Sequence, residues 1–516
     1  MSVENYSQFN GFGAEQYDPV SGTTTGAVTM QDLQKAMGTI GSGSGAGYDA
    51  PDPGAGSIQP TITESLESTL KRLTLSMKEL KLYRTVRTEP AYALAEEFLQ
   101  LVDIGSETGG FHEEFDLPEM EETQYRRKTE TVKYLGETRA VSHQAQLVRS
   151  RIGDVVQTEV DNGTTRILRT LNRSLAFGNA RIVPQEFNGI YEQHGSYGGN
   201  EDIWSTIDQY YNSEVIYDLR GSHLNQKDVL DASEVIDNNH GVPDTLWGPN
   251  KVMRDFAKDY IDSQRTILNS EFAQNGQHLG SMWVSKFPTP FGEIDLVRDK
   301  YLQEQVRAKQ RKNNRSTSES STDTKAPAAP TSTSDNVVSN DGKSKFESGD
   351  TGDYYYAIAA VNRFGESALT PVNGDVKTTV TSSQDAVDLT WSDGSGNYAT
   401  TGYIVYRSQK DPAANKIDDV TLYPIFKLST NELAGGYDGA NGGSARDRNR
   451  WLPGTEQAFM WETGEQVFGF KQLAPLMKMD LARLDPTIRF MILMYGTPQL
   501  YNHLRVVRFV NIGDYS

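Results

Sequence analysis

Apolar residues recur along this chain with two periods, one helical and one of strands. From Ile152 to Phe177 the period is helical. Val160, Ile167, Leu168, Leu171 and Leu175 fall on one side of a helix that turns about 100° per residue. Arg166, Arg169 and Arg173 fall on the opposite side. Such a helix spans roughly 40 Å if continuous, and Asn162-Gly163 is the point where it could kink or start late. It ends at Phe177-Gly178-Asn179, followed by Pro184 and then Phe187-Asn188-Gly189-Ile190.

Upstream, Thr61 and Glu64 have capping-box spacing, and Leu66, Leu70, Leu73, Met77 and Leu80 follow in steps of four and three. The run is short, which favours a helix packed on the parent fold over a free coiled coil. Thr88 and Pro90 predict the start of a second helix carrying Leu94, Phe98 and Leu101. Residues 61–104 are therefore expected as N-terminal helices. From Gly105 to Gln146 the period shortens. An acidic section from Glu113 to Glu122 precedes a basic one with Arg126, Arg127, Lys128 and Lys133. Thr129, Thr131, Val132, Tyr134 and Val141 favour strands around it. The alternation is polar on both faces, so this hairpin has no core of its own. It is read either as a loop that reaches out onto another surface or as an ordinary solvated hairpin.

Residues 225–302 mix both periods. Asn225 is placed to cap a helix with Val229 and Ile236, which Gly241 closes. Val242–Trp247 reads as a strand, Asn250–Ser263 as a helix with Val252, Phe256 and Tyr260 on one face, and Met282–Val284 and Ile294–Val297 as further strands. Residues 303–345 turn basic and then Ser/Thr/Pro-rich, a linker composition. An all-β block follows at 346–454, with strands at Tyr354–Val361, Val387–Trp391 and Gly402–Arg407. From 455 to 516 the mixed α+β character is expected to return, so one domain is inserted into another. Residues 1–60 form a Gly/Ser-rich arm with little capacity for a core.

Composition narrows the function. The chain has 516 residues, 36% of them hydrophobic, and a formal net charge of −19. That size implies more than one domain, and the acidity argues against a sequence-specific DNA reader. There are no cysteines, so no disulfide or thiolate metal site exists. MSVENYSQFNGF carries neither a basic patch nor an apolar core, so no secretory leader is expected. The strongest apolar run, Phe490–Tyr495, is too short to span a bilayer. No Walker loop, Rossmann fingerprint, nucleophile elbow or HExxH pair occurs. His112 beside Glu113 and Glu114 reads as a solvated acidic loop. Asp393, Ser395 and Asn397 read as a turn, because the twelfth position of a calcium loop would be Ile404. Asp116 and Glu119 receive no acid/base role from sequence alone. No catalytic residue, cofactor or metal is expected. The arginine row has two readings: a solvated face with acidic partners, or a wall of non-specific, salt-sensitive attraction for DNA phosphates.

Four features occur in a telling order. They are the polar hairpin (Gly105–Gln146), the long helix with FGN and then FNGI (Val155–Ile190), an α+β part with NNHGVPDTLWGPN (Asn238–Asn250), and the closing FMILMYGTPQLYNHLRVVRFVNI (Phe490–Ile512). Together they resemble the major capsid proteins of tailed double-stranded DNA bacteriophages, of the Hong Kong 97-like fold. The resemblance covers roughly residues 60–300 and 455–516. It implies that the hairpin is an extended loop contacting neighbouring subunits, with Arg126, Arg127, Lys128, Lys133 and Tyr134 as its candidate contact residues. It makes the long helix a spine, with 147–224 as spine and peripheral domain and 225–302 as the first part of an axial domain. YYYAIAAVNRFGES and GYIVYRS in the inserted block resemble fibronectin type III or immunoglobulin-like domains, although Trp391 follows Tyr354 here, the reverse of the usual fibronectin order. In the family such insertions usually project outward, and partial dispensability is expected.

The resemblance implies a non-enzymatic shell protein without a membrane partner. It would assemble with itself into hexamers and pentamers around packaged double-stranded DNA, with portal, scaffold and decoration proteins as partners. It would be made in the bacterial host cytoplasm and end in the virion. Two other readings stand beside it. One is an adhesion or carbohydrate-binding protein in which Tyr354–Tyr356, Trp391 and Tyr403 supply sugar-stacking faces. The other is an encapsulin-like cargo compartment.

Overall fold

The computed structural model describes residues 16–17, 24–25, 80–105, 120, 122–147, 154–195, 215–264, 286–299, 317, 321, 323–430, 443–483 and 486–514. Nearly all of the arm, the helix expected from Thr61, the segment holding His112 and Asp116, and the candidate strand Met282–Val284 lie outside them. In the arm, Gln16–Tyr17 pairs antiparallel with Thr24–Thr25. The remainder is α+β.

The long helix runs from Val155 to Phe177, 23 residues and so roughly 34 Å. The Asp154 carboxylate accepts from the Val156 and Gln157 amides and caps its first turn. The helix continues through Asn162-Gly163 without a break. Gly163 is a contact residue there, since a Cβ would lie 2.7 Å from Ile492 Cδ1. Ile167, Leu171 and Leu175 are buried, as their spacing predicts. They pack on a four-stranded sheet of order 87–90, 468–480, 487–500 and 133–142. The first pair is parallel and the others antiparallel.

FGN and FNGI form a clasp at the end of this helix. The Gly189 amide donates to the Gly178 carbonyl at 2.8 Å. A Cβ on Gly178 would sit 2.5 Å from the Phe187 carbonyl oxygen, and one on Gly189 would sit 2.6 Å from that of Ser174. Only glycine permits this approach. Asn179 and Asn188 turn the chain between them, accepting from the amides of Arg181 and Ala180.

A second, six-stranded sheet has the order 216–218, 506–512, 456–461, 245–248, 292–298 and 286–289. Helices Gln226–Asn238 and Asn250–Gln264 cover it, burying Val229, Ile236, Val252 and Phe256 against Phe287, Ile294 and Phe509. Asn225 and Asp228 form the capping box of the first helix. Its end differs from expectation by one residue. His240 takes the left-handed conformation (φ 61°), and the amides of His240 and Gly241 close onto the carbonyls of Asp237 and Ile236. The described residues of 456–512 return to this sheet and the four-stranded one as strands, not as the expected helix–strand mixture.

The helix expected from Thr88 is not formed. A four-residue helix, Leu82–Thr85, is followed by strands Arg87–Pro90 and Ala95–Asp103. Leu94, Leu99 and Leu101 are exposed and only Phe98 packs, so the three-and-four spacing there does not mark a buried face. The hairpin is correspondingly displaced. Its arms are Ala95–Asp103 and Gln124–Thr131, and Lys133–Ser142 leaves it to become an edge of the four-stranded sheet.

The inserted block is a β-sandwich that begins earlier than 346. Strand Thr331–Val338, read as linker, pairs with Ala386–Ser392, which pairs with Gly443–Asp447. Its Ser, Thr and Asn side chains suit an edge strand with one wet face, which is why its composition looks like linker. The facing sheet joins Tyr356–Asn362, Gly402–Ser408 and Leu422–Ser429. Tyr354, Tyr356, Trp391 and Tyr403 fill the core between the sheets, while Tyr355 packs on the other side of its sheet. The expected strand Tyr354–Val361 is two: Gly352–Tyr354 pairs with Thr378–Val380, and Tyr356 onward pairs with Gly402–Arg407.

The sandwich is bolted to the body. Ile182, from the clasp segment, is buried in a cluster with Tyr355, Ala357, Ile404 and Tyr406. The Arg508 guanidinium stacks on Tyr191 (3.7 Å) and Trp451 (5.2 Å). Arg220 donates to the carbonyls of Asn449 and Lys345 and pairs with Asp350 at 2.9 Å. These contacts argue against a freely tethered, dispensable module. Among the described residues no helix is long and apolar enough to cross a membrane.

Candidate assembly surface

Alternation along the hairpin arms sorts their side chains onto two faces. On one face Glu97 lies across from Thr129, Leu99 from Arg127 and Leu101 from Tyr125. On the other, Glu96 faces Glu130, Phe98 faces Lys128 and Gln100 faces Arg126.

The second face rests on the subunit's own body. The Phe98 ring meets Tyr501 edge-on at 4.9 Å, and Gln100 Nε2 donates to the Tyr501 carbonyl at 2.6 Å. Gln499 Nε2 donates to the Glu96 carbonyl, and Asn188 of the clasp reaches Glu130 at 3.4 Å. Burial pulls the Lys128 ammonium down to about 8, although Glu130 beside it pulls the other way. Burial lifts the Glu130 carboxyl above its ordinary value. Burial, with Lys128 and Arg126 adding, pushes the His503 imidazole down to about 4. The ring is therefore neutral near pH 7, which spares this face a further positive charge.

Among the described residues nothing covers the first face. Leu99 is 70% exposed, Leu101 53% and Tyr125 67%. Beyond the arms Ile104 is 77% and Met120 97% exposed. Eight of the fourteen exposed large apolar side chains among the described residues fall between Tyr92 and Tyr134, so the exposure is concentrated in this one region. A monomer gains nothing from apolar side chains held in water on a rigid ladder, and such a patch is the physical mark of a protein contact. The Arg127–Glu97 ion pair lies on the same face.

The five contact residues named from sequence are split by the fold. Arg127 is on the open face, and Arg126 and Lys128 are on the face turned to the body. Lys133 and Tyr134 are outside the hairpin, on the four-stranded sheet. Lys133 donates to the Pro184 carbonyl at 2.7 Å, and Tyr134, largely exposed, meets Tyr495 edge-on at 4.8 Å. Sequence does not single out Leu99 or Tyr125, and it places Leu101 only on the face of the expected second helix. Their only signal is apolar residues in a segment otherwise rich in charge.

The arginine row of the long helix does not present three equivalent cations. Arg166 is well exposed and pairs at 2.8 Å with Glu137, which also holds Arg139 at 2.9 Å, and Arg139 pairs with Glu159. This network ties the helix to strand 133–142. Arg169 and Arg173 are half-buried, each with an interaction of its own. At the core, Asn172 Nδ2 donates to the buried Asp299 carboxylate at 2.9 Å and Asn172 Oδ1 accepts from the Tyr83 amide. Among the described residues no three His, Asp or Glu side chains gather to hold a metal ion. The tyrosines and tryptophan considered as sugar faces, Tyr354–Tyr356, Trp391 and Tyr403, are all buried.

Residues 92–337 match the family model described as the SU10 major capsid protein. The major capsid protein of Staphylococcus phage K is 22% identical over 474 residues, covering 87% of this chain and 90% of that protein. The putative major capsid protein of Enterococcus phage phiEF24C is 20% identical over 510 residues, covering 94% of this chain and 98% of that one. Among solved structures, the capsid of the native GTA particle overlaps with a TM-score of 0.41 at 8% identity, over 89% of this chain and 99% of that one. The holo-SrpI encapsulin complex of Synechococcus elongatus overlaps at 0.37 and 6% identity, over 88% and 94%.

Proposed function

We propose that this chain is a phage major capsid protein of Hong Kong 97-like architecture, a subunit that assembles with copies of itself into an icosahedral shell. The observation that carries the reading is kinship with phage major capsid proteins along about nine tenths of the chain. The open apolar face of the hairpin supports it physically, because a second copy of the chain is the partner that a shell supplies to every subunit. The work of such a protein is contact, and we assign it no catalytic step. The shell reading is tested by sedimentation of the purified full-length chain. Closed shells or capsomers are expected, and a monomer under every assembly condition contradicts it.

The contents and other partners extend this reading. We assign double-stranded DNA as cargo, portal and scaffold proteins as assembly partners, and the bacterial cytoplasm as the place of assembly. Phage relatives favour DNA over a cellular cargo. The buried aromatics of the sandwich remove the stacking faces on which the adhesion reading rested. For the arginine row, Arg166→Gln with Arg169→Gln is expected to lower the DNA retained by shells and weaken its salt dependence by about two charges. Glutamine avoids placing a new carboxylate against Glu137. Unchanged nucleic-acid absorbance across a salt series would remove these arginines from the lumen wall.

A further inference from the structure

Three loops of the sandwich meet at one end: residues 323–330, the turn 362–365 and the loop 393–400. Asn362, 7% exposed, organises them. Its Oδ1 accepts from the amides of Phe364 (2.9 Å) and Gly365 (3.2 Å), and its Nδ2 donates to the Lys325 carbonyl at 2.9 Å. Gly394 and Gly396 let the third loop lie against Ala328 and Ala329, where a Cβ on either would clash. The result is a fixed cluster on the surface. The Arg363 guanidinium lies 4.5 Å from the centre of the Phe364 ring and the Lys325 ammonium 5.4 Å from it. Tyr398, 40% exposed, meets the same ring at 6.3 Å. Arg363 and Lys325 are exposed, and neither ion-pairs with a carboxylate among the described residues.

We propose that Arg363, Lys325 and Tyr398 form a binding site for an acidic polysaccharide. The site is separate from the assembly surface, and the inference stands whether or not the chain builds shells. A guanidinium held 4.5 Å from a ring centre still carries the planar fork of N–H donors that matches a carboxylate. Lys325 adds a point charge beside it, and the open Tyr398 ring offers an apolar face with a polar tip, which suits a sugar. Charge decides against a nucleic acid. Two cations on a chain of net charge −19 do not make the row that a phosphate backbone requires, whereas a uronic acid presents one carboxylate per ring. Asn362 holds the geometry in advance, so little ordering opposes binding.

The test passes the full-length protein over immobilised polygalacturonate, with dextran and double-stranded DNA as parallel probes. Retention on polygalacturonate and not on dextran is expected, and it should weaken with salt. Lys325→Ala with Arg363→Ala should lower affinity about tenfold or more, and Tyr398→Ala by a few-fold. Lys325→Ala alone keeps the test open if the double variant fails to fold. Absence of retention on polygalacturonate overturns the proposal. So does retention that these variants leave unchanged, or a preference for DNA.

Discussion

Leu99→Glu combined with Leu101→Glu is expected to abolish shell formation while leaving the subunit folded. The two leucines are side by side on the open face of the hairpin and remain 70% and 53% exposed. Leu99 lies directly across from Arg127, so a glutamate there gains a cross-strand partner in the free subunit. Thermal stability should then change by no more than about 0.5 kcal/mol, the usual range for exposed sites. In a shell the same positions would be desolvated. Burying each leucine contributes about 1.5–3 kcal/mol per contact, and a buried, unpaired carboxylate reverses the sign. Every subunit repeats the loss, so assembly should fail rather than weaken. Light scattering and negative-stain imaging read the outcome. Normal shells from the double variant would show that this face is not the contact.

The hairpin also shows where sequence reasoning stops. Its open face depends on which side lies against Tyr501 and Gln499, residues about four hundred positions away in the chain. No local period contains that information. Leu94, Phe98 and Leu101 stand at helical spacing by coincidence, while the pairing that makes 95–103 a strand comes from Gln124–Thr131. Arg87–Pro90 is likewise fixed by Gly469–Gln472. The polar strand 331–338 was hidden for the opposite reason, because an edge strand with a wet face needs few apolar residues. What was legible rests on short-range chemistry. The stripe Ile167, Leu171 and Leu175, the Asn225 cap and the end of the long helix at Phe177-Gly178 all act within a few turns of chain. The arginine row shared that periodicity, but its partner Glu137 belongs to a strand that sequence had assigned to the hairpin.

The second large effect concerns the sandwich. Asp447→Ala should destabilise it by about 3–5 kcal/mol, the cost of stranding a buried charge. Arg407 is 1% exposed, and its Nη1 pairs with Asp447 Oδ2 at 2.6 Å. Burial pulls on the guanidinium, yet Asp447 and Tyr356 more than offset it and hold the charge firmly protonated. Tyr356 donates to the same carboxylate at 2.8 Å, and burial followed by Asp447 raises its hydroxyl well above the ordinary value, so it stays neutral. Removing the carboxylate leaves the guanidinium with Asn449 and Trp451 as acceptors, neither of them charged. Replacing both partners by leucine should recover part of the loss, since a matched apolar pair leaves no buried charge. Urea denaturation followed by tryptophan fluorescence reports it, because Trp391 lies in the same core. A loss below about 1 kcal/mol would mean that water reaches Arg407. Since Ile182, Tyr191 and Arg508 lock the sandwich to the body, loosening it should also loosen the clasp beneath the hairpin.

The central claim is that copies of this chain meet through the open face of the hairpin to close a shell. A cryo-EM reconstruction of particles formed by the full-length chain tests it most directly. The account predicts an icosahedral shell in which Leu99, Leu101 and Tyr125 of each subunit are buried against a neighbouring copy. Shells in which that face points into solvent, or no shells at all, would contradict it.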